Sequence, residues 1–451
     1  MGRSYWLILA ILGVGEIISA LYLAWINPVR GYDENWYLIN SYHFSGVTAL
    51  DYAYNRPPML PVLLALFGSY YRLVPALAHI GSAALVFMIL RRLATPALAI
   101  AGVGAFMVCG EMRIYNIFLL TEMPTIFFFL LAVYFHVTRR PLLFGGATSL
   151  ATMTHWSMAT VVPVALALYV LRSQWRKCGW FIAGAALTIT PFAVMAVIAY
   201  GNPLSPFIKH LAIQRSGVND LWAYAREFPQ LPLTLIAGGA VALWWVWRSG
   251  QRWRTDLHCE LGLLLLGTVF ARLLLLHMVT VKSQRYLVPL VPALLLLTVL
   301  MLRQCANRGR VVRVCLWVIL FTSIAPGKHF YWQVHDLRND PGNQIVRLRE
   351  QMVEAEPAER IYTDFNDMAV MGQTGRPAVA VLTDNSWHHH LFTRPTSTRD
   401  LIPDGALYLT FDPGNATVIA RADEDTAKTL WLVRWRGGKP VSLASTSARI
   451  P

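Results

Sequence analysis

Long apolar runs separated by short, mostly basic connections fill the first 327 residues. Runs near 5–26, 73–90, 95–111, 122–138, 141–154, 156–171, 179–199, 229–247, 258–279, 286–302 and 314–326 predict eleven membrane-crossing helices. A helix of about 20 apolar residues spans the hydrocarbon core of a bilayer, and shorter runs need packing or tilt to complete the crossing. The fifth and sixth runs are short and divide at Thr154-His155-Trp156. From Lys328 the pattern changes. NQIVRLREQMVEAEPAE has helical periodicity, whereas ERIYTDF, AVAVLT and GALYLTF read as strands. Alternation of this kind predicts a small α/β domain of about 110 residues. The expected organisation is a transmembrane domain over 1–327, with a first external loop at 27–72, followed by a soluble extracytoplasmic domain over 328–451.

Composition agrees with the pattern. Hydrophobic residues make up 55% of the 451, charged residues 14%, and mean hydropathy is +0.44; soluble domains carry about 25% charged residues. The chain is therefore read as an integral membrane protein. Its net charge of +14 is uneven. The first 327 residues hold 25 basic and 10 acidic side chains, whereas the remainder holds 14 and 15. A basic excess confined to membrane-flanking loops argues against nucleic-acid binding and for contact with lipid headgroups. MGRSYW and the run after it lack a small-residue cleavage site, so the first span is expected to be retained. Five cysteines lie in or beside apolar segments with no CxxC, which reads as small buried hydrophobes, with no zinc site or disulfide framework.

Basic residues also orient the chain. With the N-terminus inside, 15 of the 25, from Arg3 through Arg91, Arg139 and Arg172 to Arg313, fall in short cytoplasmic connections. Nine lie in longer loops on the other side, and Arg272 is left within a span. The positive-inside rule selects this topology and makes 27–72, 111–122, 200–228, 280–285 and the tail external.

Chemistry is concentrated on that external side. RGYDENWYLIN places Asp33 and Glu34 among aromatics where the first span ends, although polar residues flanking a span often do no more than meet water. The same loop continues to DYAYNRPPMLPVLLALFG, where Pro57 and Pro58 restrict the backbone after Arg56. An acid and a guanidinium at headgroup level suit a phospholipid-like substrate. The carboxylate can take a proton from an attacking hydroxyl, and the guanidinium can grip a leaving phosphate. Glu122 in TEMP has two readings, a dipole-favoured acid at a helix start or a second acid facing the same cavity.

The order of YDENWY, NRPPMLPVLLALFG, RLVPAL, TEMP, YGNPLSPF and QRYLVPLVPALLLL resembles the GT-C membrane glycosyltransferases over about residues 5–302. The likeness is to the branch of dolichyl-phosphate-mannose protein mannosyltransferases and aminoarabinose transferases. It implies an enzyme that takes a sugar from a polyprenyl-phosphate donor and passes it, with inversion, to a lipid, glycan or protein acceptor on the extracytoplasmic face. The first-loop Asp of the family matches Asp33, with Glu34 beside it, and the second acid matches Glu122. The basic residue before Pro-Pro matches Arg56, and the Arg of the RYLLP-like segment matches Arg285, with Lys282 one turn away. These three are assigned to the donor phosphate, and Tyr54, His155 and Arg272 to the substrate cavity. Where relatives tend to carry Thr-Lys, this chain reads MTHWSM, which puts His155 in place of the Lys. The implied location is a bacterial inner membrane. The implied chemistry is metal-independent or weakly assisted by a divalent cation, with no cofactor required.

Two charges lie deep within predicted spans, Glu16 and Arg272, and such charges need a partner or water. They could pair with each other, or Arg272 could line the route of the lipid phosphate. Trp387-His388-His389-His390 cannot supply three metal ligands from adjacent positions and reads as a solvated loop. The competing function is a transporter or lipid-linked-sugar flippase, for which internal repeats and mid-bilayer polar residues would be expected.

Overall fold

The computed structural model describes residues 3–26, 32–46, 56–109, 118–208, 256–278 and 286–304, then 351–354, 360–363, 367–382, 397–398, 402–403, 405–410, 417–421 and 431–435, with a few single positions besides. Its helices in chain order are α1 Arg3–Ile26, α2 Tyr32–Phe44, α3 Met59–Phe67, α4 Leu73–Leu93, α5 Pro96–Val108, α6 Glu122–Val137, α7 Pro141–Thr154, α8 Val161–Leu171, α9 Trp175–Tyr200, α10 Leu257–Met278, α11 Val291–Gln304 and α12 Asp367–Thr374. Two compact units emerge. One comprises Met1–Trp25, Tyr54–Leu63 and Phe67–Phe330, and the other Ile26–Ala53, Leu64–Leu66 and Tyr331–Pro451.

In the first unit, the apolar runs that fall within the described residues are helical. The runs near 229–247 and 314–326 lie outside those residues, apart from isolated positions in the former. Among the described residues, Leu73–Leu93, Trp175–Ile198 and Leu257–Leu276 are long and apolar enough to cross a membrane unaided. The shorter helices have local causes. Thr95 Oγ1 accepts from the Leu98 amide at 3.4 Å and Pro96 begins α5. His155 leaves the helical conformation, ends α7 and caps the 3-10 turn Trp156–Thr160 that leads into α8.

Phe106, Phe129, Phe144, Phe181, Leu264 and Leu296 are fully buried in one continuous apolar core. Lipid tails are as apolar as these side chains, so helix association in a membrane depends on close packing and interhelical hydrogen bonds. Helices α7 and α9 use both. A Cβ on Gly184 would overlap the Leu142 carbonyl, and Ser149 Oγ donates to the Ala185 carbonyl at 3.1 Å. Much of α9 is otherwise exposed, with Trp180, Leu187 and Ile198 outward, as a lipid-facing helix requires.

Buried charge is gathered where α10 begins. Asp256 caps this helix by accepting from the His258 amide at 2.8 Å. His258 and Arg303, at the end of α11, meet the carbonyl of Leu93, the last residue of α4. Buried Glu260 contacts Arg139, lies 3.0 Å from Arg172 Nη1 and 3.4 Å from His136 Nε2. Arg139 follows α6 with φ of 60°, a left-handed conformation disfavoured by about 1–2 kcal/mol for a residue with a Cβ. Contact with Glu260 offsets that. Burial lowers the pKa of Arg172 from its ordinary value, and the Glu260 carboxylate opposes the shift.

The second unit holds a sheet of six strands: β1 Ile361–Thr363, β2 Ala378–Leu382, β3 Ser397–Thr398, β4 Leu407–Thr410, β5 Thr417–Arg421 and β6 Trp431–Arg434. Their order is β3-β2-β1-β4-β6-β5. Strand β1 runs parallel to β2 and β4, β2 parallel to β3, and β6 antiparallel to β4 and β5. The segments read as strands, ERIYTDF, AVAVLT and GALYLTF, contain β1, β2 and β4. Successive residues enter opposite cores. Ile361, Leu407, Leu409 and Leu432 pack with Leu348, Met352 and Val370 on one face, whereas Tyr408 and Val433 pack with Ile402 and Trp435 on the other. Helix α12 makes the crossover between parallel β1 and β2.

Candidate active site

Asp33 and Glu34 occupy the first turn of α2. That position is electrostatically sound, because the positive end of the helix dipole favours carboxylates there. Asp33 is half-buried and Glu34 is 2% exposed. Both belong to the unit that carries the sheet. At helical spacing, Asp33 shares a face with Tyr37 and Asn40, which are buried. The next turn's stripe, Asn35, Ile39 and Tyr42, faces the other way, towards α12.

The remaining described candidates belong to the membrane unit. Arg56 is half-buried, and the buried pair Pro57-Pro58 leads directly into α3, whose Val62 amide donates to the Pro58 carbonyl at 3.1 Å. Glu122 is the first residue of α6 and is 2% exposed. Pro124 sits within that first turn, where its missing amide proton leaves no helical bond unmade. Lys282, Arg285 and Tyr54 lie outside the described residues, as do His388, His389 and His390.

Two of the assigned groups, Arg272 and His155, meet at Tyr286. Arg272, fully buried in α10, donates from Nη2 to the Tyr286 carbonyl at 2.9 Å, and its Nη1 lies 2.6 Å from Met158 Sδ. The ring of His155 stands edge-on to that of Tyr286 with centroids 6.0 Å apart. His155 Nδ1 lies 2.8 Å from Ser157 Oγ and accepts the Ser157 amide at 3.4 Å. Nδ1 is thus occupied as a helix cap, which assigns the neutral ring's proton to Nε2. Tyr286 directly follows Arg285 in QRYLVP. Arg272 therefore anchors the chain next to a residue assigned to the phosphate. Among the described residues, no group of three His, Cys, Asp or Glu side chains is placed to hold a metal ion.

No sequence-family model matches the chain, and no curated protein matches it in sequence. Solved structures do match in fold. ArnT from Cupriavidus metallidurans bound to undecaprenyl phosphate superposes with a TM-score of 0.64 at 15% identity, over 99% of this chain and 100% of that one. The chain has the fold of ArnT. Apo ArnT matches this chain with a TM-score of 0.61 at 13% identity, over 94% and 97% of the two chains. An Archaeoglobus fulgidus oligosaccharyltransferase tethered to an acceptor peptide matches at 0.53 and 13% identity, over 84% of this chain and 64% of its own.

Glu16 and Arg272 each contact residues elsewhere in the chain. Glu16 Oε1 lies 2.6 Å from Nε2 of His79. His79 in turn stacks on Phe106 with centroids 5.3 Å apart. His79 is thus a partner of Glu16, and Met158 and the Tyr286 carbonyl are partners of Arg272. Sequence reasoning also passed over His79, His136 and Glu260. Each was visible as a lone polar residue in or beside an apolar run, but which helices adjoin was not.

Proposed function

We propose that the protein transfers a sugar from a polyprenyl-phosphate donor to a lipid, glycan or protein acceptor on the extracytoplasmic face of a bacterial inner membrane. The supporting observation is the likeness, along almost the whole chain, to an ArnT that holds undecaprenyl phosphate. The order of acids and basic residues along the sequence supports the same reading. Asp33 is the general base. It takes the proton of the acceptor hydroxyl as the oxygen forms a bond to the anomeric carbon. The bond from that carbon to the phosphate oxygen breaks, its electron pair stays with the polyprenyl phosphate, and configuration inverts. Arg56 and Arg285, with Lys282, stabilise the growing phosphate charge. Glu34 supports Asp33, and Glu122 orients the acceptor or assists a divalent cation. His155, Tyr54 and Arg272 belong to the cavity that receives the substrate.

In this reading residues 1–327 form the membrane domain and 328–451 the extracytoplasmic domain, with the N-terminus in the cytoplasm. The test is transfer of radiolabelled sugar in proteoliposomes supplied with a polyprenyl-phosphate donor. Asp33→Asn is expected to lower transfer by about 10²–10⁴-fold, the range over which a general base acts, while the variant remains folded in the membrane. Undiminished transfer by that variant would remove Asp33 from the mechanism. Donor movement across the bilayer without cleavage would instead identify a flippase.

A further inference from the structure

Helix α12 carries Gly372 at the sixth of its eight positions, DMAVMGQT. A glycine inside a helix is less favourable than alanine by about 0.5–1 kcal/mol. The helix by itself would be better with a methyl group at this position. The neighbour excludes one. A Cβ on Gly372 would lie 3.1 Å from both Cβ and Cγ of Asn35, and closer still to its Oδ1. Asn35 is fully buried on α2, two residues after Asp33, so its side chain has little room to yield.

Other contacts hold the two helices together at the same point. Tyr42 Oη donates to the Gly372 carbonyl at 2.8 Å, and Ile39 packs with Met371 and Tyr42. Asn35, Ile39 and Tyr42 follow each other at i, i+4 and i+7, so one stripe of α2 rests on α12. On its opposite side α12 inserts Val370 into the core formed by β1 and β4, against Ile361 and Leu407. The ledge is thus fixed to the sheet. At 100° per residue, Asp33 lies about 200° from Asn35 and faces away from the ledge.

We propose that α12 is a positioning surface for α2, and that the close approach of Gly372 to Asn35 sets where Asp33 stands. The proposal rests on the reading of Asp33 as the general base. Gly372, Asn35 and Tyr42 are positioning residues that touch no substrate. A methyl group on Gly372 displaces α2 by a fraction of an ångström and carries Asp33 with it. Misplacement by about 1 Å can cost about 100-fold in rate, so a smaller shift is expected to cost about 10-fold.

The experiment compares full-length wild type, Asp33→Asn, Gly372→Ala, Asn35→Ala and the double variant Gly372→Ala/Asn35→Ala, in proteoliposomes with polyprenyl-phosphate sugar and acceptor. Gly372→Ala is expected to lower kcat about 10-fold while donor KM and the thermal unfolding midpoint stay at wild-type values. Removing the Asn35 amide in the same chain is expected to return kcat to that of Asn35→Ala alone. A merely structural glycine would lower the midpoint and show no such rescue. Wild-type kcat in Gly372→Ala beside an inactive Asp33→Asn overturns the positioning role and leaves the proposed function standing. So does a loss that Asn35→Ala does not relieve. An Asp33→Asn variant as active as wild type overturns the reading of Asp33 and this proposal with it.

Discussion

Arg272 carries a charge into the interior of a membrane protein, where an uncompensated guanidinium would be expensive. Its Nη2 finds the Tyr286 carbonyl, and hydrogen bonds to charged groups contribute about 1.5–3 kcal/mol. Arg272→Met, similar in bulk and apolar, is expected to lower stability by roughly that amount or less, since the buried charge is removed together with its bond. The functional effect should be separate. Loss of the anchor next to Arg285 is expected to raise donor KM about 10-fold while kcat changes little. Steady-state kinetics over donor concentration would check this; a fall in kcat at constant KM would place Arg272 elsewhere in the mechanism. At Glu16 a lone acid in an apolar run was legible, whereas its neighbour His79 was not. Nothing in sequence spacing reports which residue of another helix lies opposite.

The beginning of α10 ties together the ends of α4, α6, α8 and α11 through two side chains, His258 and Glu260. Helix ends leave backbone carbonyls unpaired, and cationic side chains near those ends also meet the negative pole of the helix dipole. Arg303 and His258 meet such a carbonyl at Leu93. Arg139 donates a hydrogen bond to Glu260, whereas between Glu260 and Arg172 the attraction is between ions, because none of the Arg172 nitrogens makes an aligned hydrogen bond among the described residues. Glu260→Ala would leave Arg172 buried without its counter-charge, and breaking buried pairs in this way costs about 3–5 kcal/mol. The thermal midpoint in detergent should fall accordingly. Arg172→Met in the Glu260→Ala background should recover part of the loss, since residues sharing one ion pair do not act additively. Additive losses would show that the pair is not a unit. The helices themselves were readable from apolar runs and from Pro and Thr at their starts. Their polar connection through Glu260 was not, because its members lie far apart in sequence.

Across the whole molecule, the distribution of basic residues predicts an orientation that can be measured directly. Ser45 and Ser173 are exposed positions that the charge bias assigns to opposite sides. Ser45→Cys is expected to react with an impermeant maleimide in intact cells, and Ser173→Cys only after permeabilisation. Among the described residues the native Cys109, Cys178 and Cys259 are buried and should give little background, and Cys305 and Cys315 are replaced by Ser in the labelled chains. The reverse pattern would invert the topology and put Asp33 on the cytoplasmic side.

Hydrophobic periodicity alone determined that this chain is a bundle of membrane helices followed by a region of mixed helix and strand. Residue types at the ends of the runs made Asp33, Arg56 and Glu122 candidates. Those features are local, since helix length, dipole position and proline geometry depend on residues within a few turns. Tertiary structure alone decided that the helix bearing Asp33 rests on α12, 330 residues from Tyr42 to Gly372. It also decided that the intramembrane charges meet His79 and the Tyr286 carbonyl. Contacts of that kind follow from how helices and strands fill space together, and a single sequence does not encode them as a readable pattern.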